Sequence, residues 1–153
     1  DPKQEDLAYE QLMEDQFFLI CPDDHPLSKQ TGPIAIENTL DYPHVSMPSS
    51  ASVRQYIDAD LHSKGLYFAP VFEVDHIATI GALVSAGLGI SALPETAVSL
   101  LQAGRLSQIP LSPPGIQRPL GIVMRRHAPR SSAAKELEAL IRASLPNLAS
   151  HSS

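Results

Sequence analysis

The sequence predicts an α/β fold of two lobes joined by two crossover strands, and three observations carry that prediction. Apolar runs of strand length alternate with stretches of helical periodicity, the order that builds a parallel sheet with helices against it. Two extended, proline-bearing passages, near residues 22–33 and 110–119, bracket the middle of the chain. A length of 153 residues, 43% of them hydrophobic, suffices for one domain or two small lobes with a real core.

The first element is the apolar run Phe17–Cys21, short and stopped by Pro22, which reads as a buried strand. The turn-rich "PDDHPLSKQTGP" leads out of one lobe into the other. A short helix is expected over 34–40 and a strand over Pro43–Met47, broken by "PSSAS". Ser52 and Gln55 have capping-box spacing, and Val53, Tyr56, Ile57 and Leu61 share one face, which predicts a helix over 53–63 ending near Gly65. Phe68–Val74 reads as a strand. Asp75 is placed to cap the next helix, whose apolar face is Ile77, Ile80, Leu83 and Val84. After a strand at Gly89–Leu93, Pro94 opens a helix expected to end near Gly104. Leu120–Met124 is the last strand. Ser131 then caps a helix with Ala134, Leu137, Leu140, Ile141 and Leu145 on its apolar face, before the frayed tail "ASHSS".

Gly87-Leu-Gly89-Ile-Ser-Ala92 has the form G-x-G-x-x-A, close to a dinucleotide-binding fingerprint. That fingerprint needs the order strand, glycine turn, helix, so that a pyrophosphate rests on a helix N-terminus. Here the order is helix, glycine turn, strand, and no acid follows in 106–118. Gly87 is therefore expected to end a helix in the left-handed conformation rather than to cradle phosphates.

Composition excludes several classes. The net charge of −6 disfavours nucleic-acid binding by this chain itself. The charge is uneven: eight acids stand against Lys3 in residues 1–26, and seven bases against Glu136 and Glu138 in 104–153, two faces that attract if the ends meet. Cys21 has no partner for a disulfide and reads as a core residue, compatible with a reducing compartment. The six histidines show no metal-ligand spacing, and neither a metal nor a cofactor is expected. No G-x-S-x-G elbow appears, and nothing positive points to an enzyme. No signal peptide opens the chain, and no apolar run approaches the roughly 20 residues of a membrane span. It begins with Asp1 rather than Met, so it is read as a piece of a longer protein.

Residues 72–98, "FEVDHIATIGALVSAGLGISALPETAV", resemble the hallmark stretch of the effector-binding domain of LysR-type transcriptional regulators. The flanks agree in order: "YEQLMEDQFFLICPDDHPLS" (9–28), "SSASVRQYIDADLHSKG" (49–65), "GRLSQIPL" and "RPLGIVMRR" (104–126), and the closing "SSAAKELEALI". The resemblance implies a type 2 periplasmic-binding-protein-like fold that senses a small-molecule effector between its lobes. On this reading 1–24 end an incomplete first lobe, 25–117 form the second lobe, 118–148 return to the first, and 149–153 are a disordered tail. It also implies a cytoplasmic regulator without enzymatic activity. Effector domains would form dimers through the helix at 76–86, where Ala78, Gly81, Ala82 and Ser85 allow close approach, and the full-length regulator a tetramer. DNA would be met only through a helix-turn-helix region missing here, as is the opening part of the first lobe. An exported solute-binding protein of similar fold is the alternative, against which the AGLGI stretch weighs.

The candidate ligand-binding residues are Pro48, Ser49, Ser50, Asp75 and His76. "PSSAS" sets hydroxyls and free backbone N–H groups at a helix N-terminus, which suits a small anion. The competing reading makes Ser49 and Ser50 loop filler and His76 structural. Arg54 reaches that loop only if its side chain curls back.

Overall fold

Strand β1 runs from Leu7 to Pro22, far beyond the apolar stretch that announces it. The structure is a computed structural model describing residues 6–101 and 106–149. Two compact units divide the chain, one of Asp15–Arg118 and the other of the residues before and after it. The chain therefore passes between units within β1 and within strand β6, Gln117–Arg125. The first passage, at 14/15, precedes the expected boundary at 24/25, and the second, at 118/119, is adjacent to the expected 117/118. The turn-rich stretch after Pro22 stays in the larger unit, where Pro26–Lys29 form a 3-10 helix whose Leu27 N–H donates to His25 Nδ1 at 3.2 Å.

In the larger unit, the buried end of β1 lies between two strands. Strand β4, Ser91–Pro94, pairs antiparallel with it (Phe18 opposite Leu93). Strand β5, Leu106–Pro110, does so on the other side (Leu19 opposite Ile109). The expected parallel pairing is confined to strands β2, Val45–Ser46, and β3, Phe72–Glu73, with single parallel bridges Ile34–Leu111 and His44–Ile90. Strand β1 runs antiparallel to both β4 and β5, and the parallel pair β2–β3 forms a separate two-stranded sheet.

Helix α1, Ser52–Ser63, buries Val53, Arg54, Ile57 and Leu61. Helix α2, Ile77–Ser85, buries Ile80, Gly81 and Val84. Gly81 thus lies against the core, while Ala78, Ala82 and Ser85 are exposed. Gly87 has φ +75° and closes α2 with two reversed bonds, Gly87 N–H to Val84 C=O at 2.9 Å and Leu88 N–H to Leu83 C=O at 3.1 Å. This is the left-handed helix stop expected of it, and Gly65 ends α1 in the same way. Gly89 is needed for a different reason. A Cβ there would stand 2.6 Å from the Pro43 carbonyl oxygen, the acceptor of the Ile90 N–H that aligns His44 with Ile90. The order helix, turn, strand removes the nucleotide reading.

Other elements are shorter than their patterns predict. Residues 34–40 hold only a 3-10 turn, Ile36–Thr39. The strand expected over 68–74 narrows to β3, because only its end has a pairing partner. Helix α3, Glu95–Val98, is one turn, and its expected end near Gly104 lies outside the described residues. So does the expected tail from Ser150 onward, whereas Ala149 ends α4.

At the boundary of the larger unit, fully buried Asp15 receives Thr96 N–H (3.1 Å), Thr96 Oγ1–H (2.6 Å) and the Arg118 guanidinium (2.8 and 2.9 Å). In the smaller unit, helix α4, Ser132–Ala149, starts as predicted, with Ala134 N–H donating to Ser131 Oγ at 3.2 Å. Arg142 pairs with Glu10 and Glu138. Bases late in the chain thus meet acids early in it, as the charge pattern anticipates. The apolar stripe of α4 is another matter: Leu137, Leu140 and Ile141 are 59%, 65% and 38% exposed.

Candidate functional site

Strands β2 and β3 run parallel, Val45 beside Phe72 and Ser46 beside Glu73, so both end at the same edge. Two of the candidate segments leave from that edge. Pro48, Ser49 and Ser50 follow β2 and lead into α1; Asp75 and His76 follow β3 and lead into α2. Crevices beyond the carboxyl ends of parallel strands are where open α/β sheets hold ligands. Neighbouring strands lie about 4.8 Å apart, which brings the two segments side by side.

Ser49 and Ser50 are the central residues of a turn closed by Ala51 N–H donating to Pro48 C=O at 2.9 Å. Both serines are exposed, as are Asp75 and His76, while Pro48 is half-buried. The expected capping chemistry is absent. The N-cap of α1 is Ala51, which has no polar side chain to offer, and Gln55 Nε2 reaches the Ser50 carbonyl at 3.4 Å rather than the cap. Ser52 is the first helical residue. Nor is Asp75 the cap of α2: that position falls to His76, whose ring makes no capping bond. The chain turns one residue later than the pattern implies, because the β3 pairing continues through Val74 N–H to Ser46 C=O at 3.0 Å. Two helices therefore start at one edge with no side-chain cap on their first N–H groups, each start carrying about half a positive charge.

Arg54 is the residue whose role the sequence misjudged. It is 5% exposed, beneath the serine turn. Its Nε donates to Asp58 at 2.8 Å, Nη1 to Glu73 at 2.9 Å and to Met47 C=O at 3.4 Å, and Nη2 to Phe68 C=O at 3.1 Å. The guanidinium lies 4.6 Å from the Phe68 ring centroid. The side chain does curl back, yet its donors are committed to the protein. The nearby charge is one base against three acids, Asp58, Glu73 and Asp75, so a bound anion would owe its attraction to the helix starts.

His44 sits behind the same edge, 2% exposed, with Nε2 3.0 Å from Thr39 C=O and its ring edge-on to Phe68 at 5.0 Å. Burial pushes its pKa below the ordinary histidine range, against a smaller opposing pull from the Thr39 carbonyl. Cys21 is fully buried, and burial with help from Asp23 raises its thiol to about 11, so it is a packing residue. Among the described residues, no group of three His, Cys, Asp or Glu could hold a metal ion. Within the same limits, no helix is long and apolar enough to cross a membrane.

Parallel strands feeding two open helix starts make an edge of the kind at which open α/β sheets hold ligands. The comparisons with known proteins carry this to a family. The model of the LysR substrate binding domain matches residues 1–146, and the chain belongs to that family. It is 37% identical over 130 residues to the uncharacterized HTH-type transcriptional regulator YbhD of Escherichia coli (strain K12), covering 85% of this chain and 41% of that protein. The chain thus spans about two fifths of the length of this curated relative.

Solved structures agree on the fold. The effector binding domain of QuiR in complex with shikimate superposes with a TM-score of 0.75 at 18% identity, over 96% of this chain and 69% of that one. The BenM effector binding domain with its effector benzoate gives 0.74 at 25% identity, over 94% and 64%. The fold is therefore of the type 2 periplasmic-binding-protein-like class, as the resemblance implies.

Proposed function

We propose that this chain is the sensing part of a LysR-type transcriptional regulator and that its ligand site is Pro48, Ser49, Ser50, Asp75 and His76, where the helix-start N–H groups and the serine hydroxyls meet a small carboxylate or similar anion. The observation that carries the reading is the pair of uncapped helix starts at one edge of β2 and β3. Shikimate and benzoate, bound by QuiR and BenM, are both carboxylates. The chain's net charge of −6 gives an anion no general attraction, so the pull must be local. In this role the chain is a binding module rather than an enzyme and works in the cytoplasm. It pairs with a second copy through the exposed Ala78, Ala82 and Ser85 of α2, in a regulator that is tetrameric when complete. It meets DNA only through a separate helix-turn-helix region.

The test is a melting-temperature screen of wild-type protein against small carboxylates and matched cations, followed by the Ser49→Ala/Ser50→Ala double variant. A carboxylate at 100 times its Kd adds about 2.7 kcal/mol of stability. The double variant should lose most of that response while melting near wild type when unliganded, since both serines are exposed. A full response in the double variant, or stabilisation by cations alone, sinks the assignment.

A further inference from the structure

The five candidate residues lie on two separate segments, and one buried side chain touches the base of both. Arg54 Nη1 donates to the carbonyl of Met47, the residue before Pro48, and to the carboxylate of Glu73, two residues before Asp75. Its Nη2 holds Phe68 C=O in the loop that leads to β3, and its Nε is fixed by Asp58 one turn along α1. The guanidinium is rigid and planar, and its donors diverge in a fixed fork. Its stacking against Phe68 sets the plane of that fork. β2 and β3 are only two residues long, so their own ladder fixes little.

We propose that Arg54 is the positioning residue of this site: its fork sets the spacing between the Pro48–Ser50 turn and the Asp75–His76 start without itself touching the ligand. The inference rests on the site reading above and adds to it a residue that the ligand does not reach.

Two variants separate positioning from bulk stability. Arg54→Lys keeps the charge and much of the stem but loses the fork. Glu73→Ala cuts the tie to β3 at a side chain that is 48% exposed, where folding is little at risk. Amide hydrogen exchange is measured without ligand on peptides spanning 47–51, 72–77 and, as a core control, 17–21. The expected result is about tenfold faster exchange in the first two segments, the loss of one charge-assisted hydrogen bond, with the control unchanged. Unchanged exchange in both segments overturns the proposal, as does acceleration equal in all three, which would mark Arg54 as merely structural. A parallel titration of wild type with benzoate and with shikimate, read by amide chemical shifts, tests the site separately. Shifts at Ser49, Ser50 and His76 that weaken in Arg54→Lys support both readings. Shifts confined to other residues overturn the site assignment and leave the exchange data to decide on Arg54.

Discussion

Leu61 in α1 and Leu140 in α4 occupy the apolar faces of two amphipathic helices, yet Leu61 is 0% exposed and Leu140 65%. The contrast extends to the units that hold them. Every buried hydrophobic residue among those described lies between Phe17 and Ile116, within the larger unit. The smaller unit carries the same kind of pattern in α4 and an alternating strand in β6, but the exposed residues include Val123, Leu137, Leu140 and Ile141. An open groove of about 350 Å³ is lined in part by Val123, Leu137 and Ile141. Periodicity therefore tells which face of an element is apolar, and it does not tell what covers that face. The larger unit encloses its own core; the smaller displays the pattern of one.

The sharpest test substitutes the two leucines. Leu61→Ala removes packed side-chain volume and should lower stability by about 2–5 kcal/mol. Leu140→Ala should change it by less than about 0.5 kcal/mol. Urea unfolding of both variants gives the comparison directly. A loss at Leu140 as large as at Leu61 would show that the α4 face is covered in solution, and would break the contrast.

Ion pairs should follow the same division. Asp15 is fully buried and depends on Arg118, whose side chain is 17% exposed. Arg118→Ala leaves that carboxylate with Thr96 alone, and removing one partner of a buried pair costs about 3–5 kcal/mol. The retained Thr96 bonds place the expected loss at the lower end of that range. In the smaller unit Arg142 pairs with exposed Glu10 and half-buried Glu138, and both carboxyls titrate below their ordinary range because of that bonding. Arg142→Ala should leave the midpoint close to wild type, because exposed pairs are screened. Equal losses from the two variants in denaturant titrations would count against the division.

Much of this was legible in the sequence, for reasons particular residues make clear. Gly87 and Gly65 announced helix ends because their positive φ is a local requirement. Ser131 announced α4 because a cap bond spans three residues. The family was legible in the ordered combination of 72–98 with its flanks. What failed depended on tertiary partners. Asp15 reads as one acid among eight near the start of the chain, and its burial needs Thr96 and Arg118, 81 and 103 residues away. The length of β3 depends on where β2 ends, and that shift moved the cap from Asp75 to His76. In the sequence Arg54 reads only as a side chain able to curl back to the serine loop, and its burial is hidden because its acceptors at Met47, Phe68 and Glu73 are not neighbours in the helix. The juxtaposition of the serine turn with His76 came from parallel pairing, which no local pattern specifies.

A smaller effect, dependent on pH, tests burial in the larger unit through His44. Its folded pKa is lowered by burial, while an unfolded histidine titrates near 6.5. The unfolded chain then binds more protons at this site just below pH 6.5, so stability rises with pH there. The contribution is present above about 6.5 and is lost as pH falls from that value through the folded one. His25 is lowered for the same first cause and adds to the slope. In His44→Gln the dependence of unfolding free energy on pH between 5 and 6.5 should be shallower than in wild type. An unchanged slope would mean that His44 is not held neutral.

The smallest expected effect lies in the larger unit too, and it shows that unit membership alone does not decide energetics. Ser52 has the spacing of a capping residue with Gln55, and a lost cap costs typically about 1 kcal/mol. That cost requires the hydroxyl to accept from an early helix N–H. In the structure Ser52 is already helical, the cap is Ala51, and Gln55 turns to the Ser50 carbonyl. The Ser52 side chain is exposed and is not the cap, and alanine is the better residue inside a helix. Ser52→Ala should therefore shift stability by less than about 0.5 kcal/mol, and in the stabilising direction if at all. Ala51→Ser is the complementary change. It places a hydroxyl at the true N-cap, where it can accept from the first turn, and should raise stability by an amount within the ordinary capping range. It should also compete with an anion for the same N–H groups. Melting curves of the two variants, with and without a bound carboxylate, separate the capping-box reading from the open-helix reading. A loss near 1 kcal/mol in Ser52→Ala with no gain in Ala51→Ser would restore the capping box and remove one of the two open helix starts on which the site depends.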